Sequence, residues 1–338
     1  MVSVTEGKAA RLDAPRLTDA VRAVHGADLA WMNFEVDDLA QDAMQIASVL
    51  GFSGTLVENL TRAQLSEYDD RDTELGMLVP IVRVHALDVE VEPLLVLVRE
   101  NFVLTIYQKG TATRFRKFAR YAETAMRKIP ADRPLPDKLT LLLTRLLNEN
   151  NERNFDGIRS LEEHGERIAG ELVTESVDRK AVAQRIYEMK RALILYLDAL
   201  WASLDVIYNL RHGDAELITD DEQLLGRVAL LADDVQRHIQ LSEHMSEVLS
   251  SGLEVMQSIY NNQLQVLNNR MAFIVAWLTV LGTAVLVPNT LATVLAAAPS
   301  ELQIRNPWLY VVVMAGSTIA ATLSAWLWVR RAVPIRVE

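Results

Sequence analysis

The chain has no cysteine. That excludes disulfide staples, thiolate metal sites and cysteine nucleophiles, and it fits a reducing compartment. Basic residues are outnumbered, with 34 Lys and Arg against 45 Asp and Glu. An acidic chain without a basic stretch offers nothing for phosphate neutralisation, so nucleic acid is not expected as a partner. There is no phosphate-binding glycine loop, nucleophile elbow or zinc-protease motif, so no enzyme is expected and no organic cofactor. The opening MVSVTEGKAARLDAPRL has no apolar run, so a secretory signal peptide is not expected there.

Charge itself is missing from two long stretches, Met271–Ser300 and Asn306–Val329. After Arg270 the only charged residues are Glu301, Arg305, Arg330, Arg331, Arg336 and Glu338. They sum to +2, so the first 270 residues carry −13 within a net charge of −11. A bilayer-spanning helix needs about 20 predominantly apolar residues. Residues 271–298 and 308–329 both meet that length, and the polar link PSELQIRNP between them makes the pair a hairpin. Arg270 precedes the first span and Arg330, Arg331 and Arg336 follow the second, which predicts cytoplasmic ends and an outer loop at 299–307. Trp308 and Tyr310 suit an outer aromatic belt, Trp326 and Trp328 an inner one. The expected location is the plasma or inner membrane, with a basic cytoplasmic tail at 330–338.

The rest of the 338 residues reads as cytoplasmic. Leu29–Val36, Leu75–Val84, Leu94–Val98 and Phe102–Tyr107 are β-like runs, the last two joined as a hairpin through Arg99–Asn101. Asp38–Leu50 has helical spacing. Residues 1–136 therefore predict an α+β domain with a mixed or antiparallel sheet flanked by helices. Residues 137–214 read as a helical hairpin turning at TESVD. A capping box, Thr219-Asp-Asp-Glu222, opens a further helix that runs as a stalk through 219–270 without proline. Its apolar positions (Leu224, Val228, Leu231, Val235, Ile239, Met245, Val248, Val255, Ile259, Val266) form a heptad-like seam. Continued to residue 298, such a helix would be roughly 120 Å long. It needs partner helices, which predicts a homo-oligomer; packing within one subunit is the other way to cover the seam.

Along the first span the polar residues are Thr279, Thr283, Asn289, Thr290 and Thr293. Thr279, Thr283 and Thr290 share a helix face, and continued inward that stripe reaches Asn268. Uncharged oxygens suit Mg²⁺, which dehydrates reluctantly and is met through its waters. The plainer role for each threonine is a bond back to its own helix. Pro288 breaks the backbone ladder beside Asn289 and can free a carbonyl. Val275, Leu278 and Leu286 could constrict a pore. Regulatory divalent ions would need carboxylates, for which Asp233 and Asp234, or Asp69, Asp70 and Asp72, are candidates; solvated surface acids are the alternative.

The order of these parts resembles the CorA family of magnesium and cobalt transporters, in the MIT superfamily. The likeness is carried by WMNFEVDD at 31–38, YDDRDTELGMLVPIV at 68–82, PLLVLVRENFVLTIY at 93–107 and the closing hairpin. It implies a funnel-shaped homopentamer whose first spans line the pore and whose second spans form an outer ring. It implies passive transport of Mg²⁺, with Co²⁺, Ni²⁺ or Zn²⁺ as further cargo, and closure by cytoplasmic Mg²⁺ bound between subunits. The family's Gly-Met-Asn signature is replaced by Val287-Pro288-Asn289, a triplet that also varies in the zinc-transporting ZntB branch; Asn289 matches the asparagine. Glu301 in the short loop matches the acids common in family loops. Two functions follow: a divalent-cation channel, or a non-conducting oligomeric receptor anchored by the hairpin.

Overall fold

The structure is a computed structural model describing residues 1–12, 17–110, 121–172, 179–212, 215–297, 304 and 306–332. It divides into two compact units, Met1–Leu253 and Glu254–Glu338.

The first unit is built on a seven-stranded mixed sheet. Its strands are β1 (Val2–Thr5), β2 (Lys8–Arg11), β3 (Leu29–Val36), β4 (Glu67–Arg71), β5 (Glu74–His85), β6 (Asp88–Arg99) and β7 (Phe102–Gln108), in the order β2-β1-β3-β7-β6-β5-β4. Only β3 and β7 pair in parallel; the other neighbours are antiparallel. Three short helices, α1 (Leu17–His25), α2 (Leu39–Val49) and α3 (Gly54–Arg62), supply a connected core with one face of the sheet. Asp38 starts α2 by accepting from the amides of Ala40 and Gln41, and Ser53 starts α3 by accepting from Leu56.

Strand period explains the two faces. In β3, Leu29 and Trp31 belong to one core while Ala30 and Met32 belong to the other. Residues 75–82 of β5 and 93–98 of β6 are continuous apolar runs because both faces are covered there. At Gly76 a side chain has no room: an added Cβ would overlap Leu60 Cδ1 and lie 3.0 Å from Leu56 Cδ1.

The opposite face is covered by α4 (121–127), α5 (Leu135–Leu172), α6 (Arg179–His212) and the start of α7 (Glu222–Ala297). β5 contains Pro80, paired opposite Pro93 of β6. Beyond Leu78, β5 has no partner on its β4 side. Two buried asparagines of α5 serve that edge: Asn150 Nδ2 donates to the Pro80 carbonyl at 3.0 Å, and Asn154 Oδ1 accepts from the Val82 amide at 3.2 Å. Unpaired strand edges need such cover.

The heads of α5 and α7 are joined by side chains. Arg133 pairs with Asp137 at 3.0 Å and with Asp221 at 2.9 Å. The expected capping box does not form, because α7 begins only at Glu222 and is capped by Asp221, while the Thr219 hydroxyl donates to Asp137. Thr219 Oγ1 accepts instead from the Asp221 amide, and Asp221 caps α7 by accepting from Gln223 at 2.8 Å.

α7 is a single helix of 76 residues. Its seam has two fates. Leu224, Val228, Leu231, Val235 and Ile239 are buried in the domain core, whereas Val248, Val255, Ile259 and Val266 are exposed. The first half is thus covered within the subunit, and the second half is not.

The second unit holds the rest of α7 and α8 (Pro307–Ala332). Nearly all its large apolar side chains are exposed. Among its described residues Ala276 and Val280, about one turn apart, are the buried ones; they lie beside Trp326 and Val329 of α8. TESVD at 174–178 and the outer-loop Glu301 fall outside the described residues.

Candidate functional site

Among the described residues three helical segments are long and apolar enough to cross a membrane: Lys180–His212, Glu222–Ala297 and Pro307–Arg331. The first was not foreseen. Its apolar window is 56% buried, with Val182, Ile186, Met189 and Leu193 in the domain core, so its apolar face is already used. The windows in the other two are 11% and 0% buried, which is what lipid-facing helices look like without their lipid.

Between α7 and α8 the second unit has an open cleft of about 850 Å³. Thr279, Thr283 and Thr290 line it from α7; Ser317, Ala320, Ala321 and Ser324 line it from α8. Each threonine hydroxyl donates back to its own helix: Thr279 to the Val275 carbonyl at 2.9 Å, Thr283 to Thr279 at 2.8 Å, Thr290 to Leu286 at 2.8 Å. Thr293 does the same to Asn289. The hydroxyl protons are therefore spent, although the oxygens can still accept.

Asn289 and Pro288 are not among the residues lining the cleft. With about 3.6 residues per turn, Asn289 shares a face with Leu278 and Val285, away from the α8-facing Ala276 and Val280. Leu278 is 62% exposed and Val285 69%. Pro288 lies inside the helix and has no N–H, so the Ala284 carbonyl loses its intrahelical donor. Asn268 is exposed further along α7. Thr279, Thr283 and Thr290 share one face of α7, as their spacing predicts, and Asn289 lies on another.

The acidic candidates also separate. Asp69 is paired with Arg71 at 2.9 Å and accepts from Asn59, and these bonds hold its carboxyl below the usual range. Arg71 reaches on to the hydroxyls of Ser53 and Thr55. Asp70, by contrast, is raised, first by burial and then by the charge of Asp72, with Asp69 and Glu216 adding to it. Asp72 sits in the hairpin turn at φ +43°. On α7, Asp234 is paired with Arg237 while Asp233 is exposed. Among the described residues no group of three His, Asp or Glu side chains is placed to hold a metal.

Two cavities in the first unit carry chemistry that the linear pattern hid. One, about 620 Å³, is lined by Tyr121, Lys128, Arg145, Glu149 and Arg227 among others. The other, also about 620 Å³, is lined by Phe155, Arg237 and His238 among others and shares Asn148, Glu152 and Asp234 with the first. They are built from residues dozens of positions apart, which is why no local motif announced them.

The fold and the hairpin define a class: a membrane protein whose mixed α/β domain leads through one unbroken helix into an apolar span paired with a second. The chain belongs to the CorA-like Mg²⁺ transporter family, whose model matches residues 26–331. Its fold is similar to that of the complete CorA magnesium transporter of Methanocaldococcus jannaschii, with TM-score 0.70 and 17% identity over 100% of this chain and 97% of that one. It is also similar to the full-length CmaX protein, with TM-score 0.65 and 14% identity over 97% and 96% of the two chains. The cytoplasmic domain of ZntB from Vibrio parahaemolyticus matches with TM-score 0.57 and 12% identity over 77% of this chain and 97% of that one. No curated protein sequence matches the chain significantly.

Proposed function

We propose that the chain is a passive divalent-cation channel of the CorA type, working as a homopentamer with Mg²⁺ as cargo and Co²⁺, Ni²⁺ or Zn²⁺ as further candidates. The observation that carries the reading is the family match across residues 26–331, which includes both apolar helices. On this reading residues 271–298 are the pore-lining span, 308–329 the outer span and 299–307 the outer loop with Glu301. The part of the chain before Arg270 and the basic tail after Val329 are cytoplasmic, following the positions of Arg270, Arg330 and Arg331.

Asn289 forms the outer filter, with Pro288 shaping the backbone beside it. The support is its exposed amide, which can meet the water shell of a cation that sheds water reluctantly. Leu278 and Val285, on the same face, form an apolar constriction that gates by dewetting. Thr279, Thr283 and Thr290 line the inter-helix cleft, where their oxygens serve a neighbouring helix or cation only as acceptors. Asn268 lines the inner pathway.

Gating by cytoplasmic divalent ions would use carboxylates brought together by two subunits. Asp70 and Asp72 on one surface and Asp233 and Asp234 on another are the proposed ligands; the raised Asp70 supports this, since a cation would relieve its crowding.

The test is ion flux into liposomes holding the purified protein, with a Mg²⁺-sensitive dye inside and an imposed negative potential. Entry in the wild type, lost in Asn289→Ala, is the expected result. No entry of Mg²⁺, Co²⁺, Ni²⁺ or Zn²⁺, from protein shown to be a folded oligomer, overturns transport and leaves the anchored receptor.

A further inference from the structure

The cavity lined by α4, α5 and α7 lies wholly in the first unit. α5 and α7 run parallel beside it, since Asp137 lies against Thr219 at their heads and Phe155 stacks on His238 further along. Successive residues of the two helices therefore come level. Arg145 and Arg227 meet near one end with Lys128 of the adjoining segment, and Glu149, Glu152 and Asp234 lie toward the other. From Arg145 to Glu152 is seven residues, or about 10 Å along the helix.

The two ends differ in how their charges are satisfied. Every carboxylate has a donor inside the protein. Glu149 accepts from the Tyr121 hydroxyl, Glu152 from Asn148 at 2.9 Å, and Asp234 is paired with Arg237. The cations have no such counterpart. Arg145 donates only to a backbone carbonyl, that of Ala125, and neither Arg227 nor Lys128 has a carboxylate partner among the described residues. Arg145 is half-buried; burial lowers its affinity for a proton, and the charge of Arg227 lowers it further. A half-buried guanidinium held near a second, exposed one is a like-charge cost that an anion would relieve. Paired arginine forks match phosphate oxygens in particular.

The walls mix apolar surface, from the Tyr121 ring, Leu141, Leu230 and Leu231, with the polar Thr124, Thr144 and Asn148. Leu230 is 64% exposed, an unusual state for a leucine beside a cavity. The acidic end opens into the second cavity, where the Phe155 ring is stacked on His238 at 4.6 Å and remains partly exposed. A volume of about 620 Å³ is in the range of small-molecule sites.

We propose that this cavity binds a nucleotide, its phosphates held by Lys128, Arg145 and Arg227 and its hydroxyl and amino donors turned toward Glu149, Glu152 and Asp234. An anion suits the three cations, none of which has a carboxylate partner among the described residues. A nucleotide rather than a bare phosphate is favoured by the rest of the cavity, which offers apolar surface beside the cations and a carboxylate acceptor, Glu152, about 10 Å along the helix from Arg145. The site uses no residue of the spans, and it shares only Asp234 with the proposed gating carboxylates.

The experiment is calorimetric titration of the full-length protein in detergent with ATP, pyrophosphate and adenosine separately. Divalent-free buffer keeps chelation from being mistaken for binding. ATP is expected to bind, with affinity falling at least about tenfold in Arg227→Glu, a loss in the range of a charge-assisted contact. Arg227 is exposed, so this variant should keep the wild-type unfolding temperature without ligand. Arg145→Gln should show the same loss. Adenosine alone should bind much more weakly than ATP. Absence of ATP binding, or ATP binding unchanged in Arg227→Glu, overturns the proposal. Pyrophosphate binding as tightly as ATP overturns the nucleotide assignment in favour of inorganic phosphate.

Discussion

The hydroxyl of Thr219 donates to Oδ1 of Asp137 across 2.5 Å, and both groups are buried. The bond joins the residue two before the α7 cap to the first turn of α5. Around it the Thr219 amide donates to Thr140 at 3.0 Å, and Arg133 closes the network onto Asp221. The stalk helix thus starts from a fixed polar anchor in the domain.

Removing that anchor leaves buried donors without acceptors, which costs about 1–3 kcal/mol for each. Asp137→Ala should lower the unfolding free energy of the full-length protein by that order, seen as a lower unfolding midpoint. Asp137→Asn keeps an acceptor for Thr219 and should lose less. Equal midpoints for the two variants would show that the network is not what holds the heads together.

Gly76→Ala should destabilise the domain by about 1–3 kcal/mol, the usual effect of overpacking a filled core. The new methyl meets Leu60 and Leu56 of α3. Gly226→Ala, on the exposed face of α7 with nothing within 4 Å, should instead stabilise slightly, by about 1 kcal/mol or less. Denaturant midpoints of the two variants, read together, check both signs.

If Asn289 rather than the threonine stripe meets the ion, Thr279→Val and Thr283→Val should leave Mg²⁺ flux within about threefold of wild type. Valine keeps the shape, and the lost hydroxyls had bonded only to their own helix, a contact of modest value. Val285→Asn should raise resting leak by wetting the constriction. Flux abolished by the threonine changes but untouched by Asn289→Ala would reverse the assignment.

His238 lies against Phe155 and near Asp234 and Arg237. Burial lowers its pKa below the ordinary 6.5, with Arg237 adding to the effect and Asp234 opposing it. The neutral ring is the folded form, so this contribution to stability is present above about pH 6.5 and is lost as pH falls toward the lower folded value. His238→Phe should flatten the fall in unfolding temperature between neutral and mildly acid pH. An unchanged slope would remove His238 from the account.

Much of this was legible in the chain. Two long stretches without charge marked the candidate membrane helices, because a bilayer-crossing helix needs about 20 predominantly apolar residues. The period of Leu29–Val36 and the runs at 75–107 gave the core strands, because pleating puts alternate side chains on opposite faces. The proline-free run with its apolar seam gave α7. Short, weakly patterned β1, β2 and β4 were not legible, since a four- or five-residue strand has too little pattern to read.

Other features were decided only in three dimensions. The seam from Leu224 to Val266 is one pattern in sequence, yet half of it is buried and half exposed, because cover depends on what packs there. Lys180–His212 has the composition of a span but spends its apolar face on the domain core. Thr283 and Asn289 are six apart, and only the helix that holds them turns one toward α8 and the other away. Arg145 and Arg227 are 82 positions apart in the chain and face each other because α5 and α7 run side by side. Sequence fixes what each short segment prefers, since periodicity and hydropathy are local. Which distant charges share a cavity is set by packing, which no local window contains.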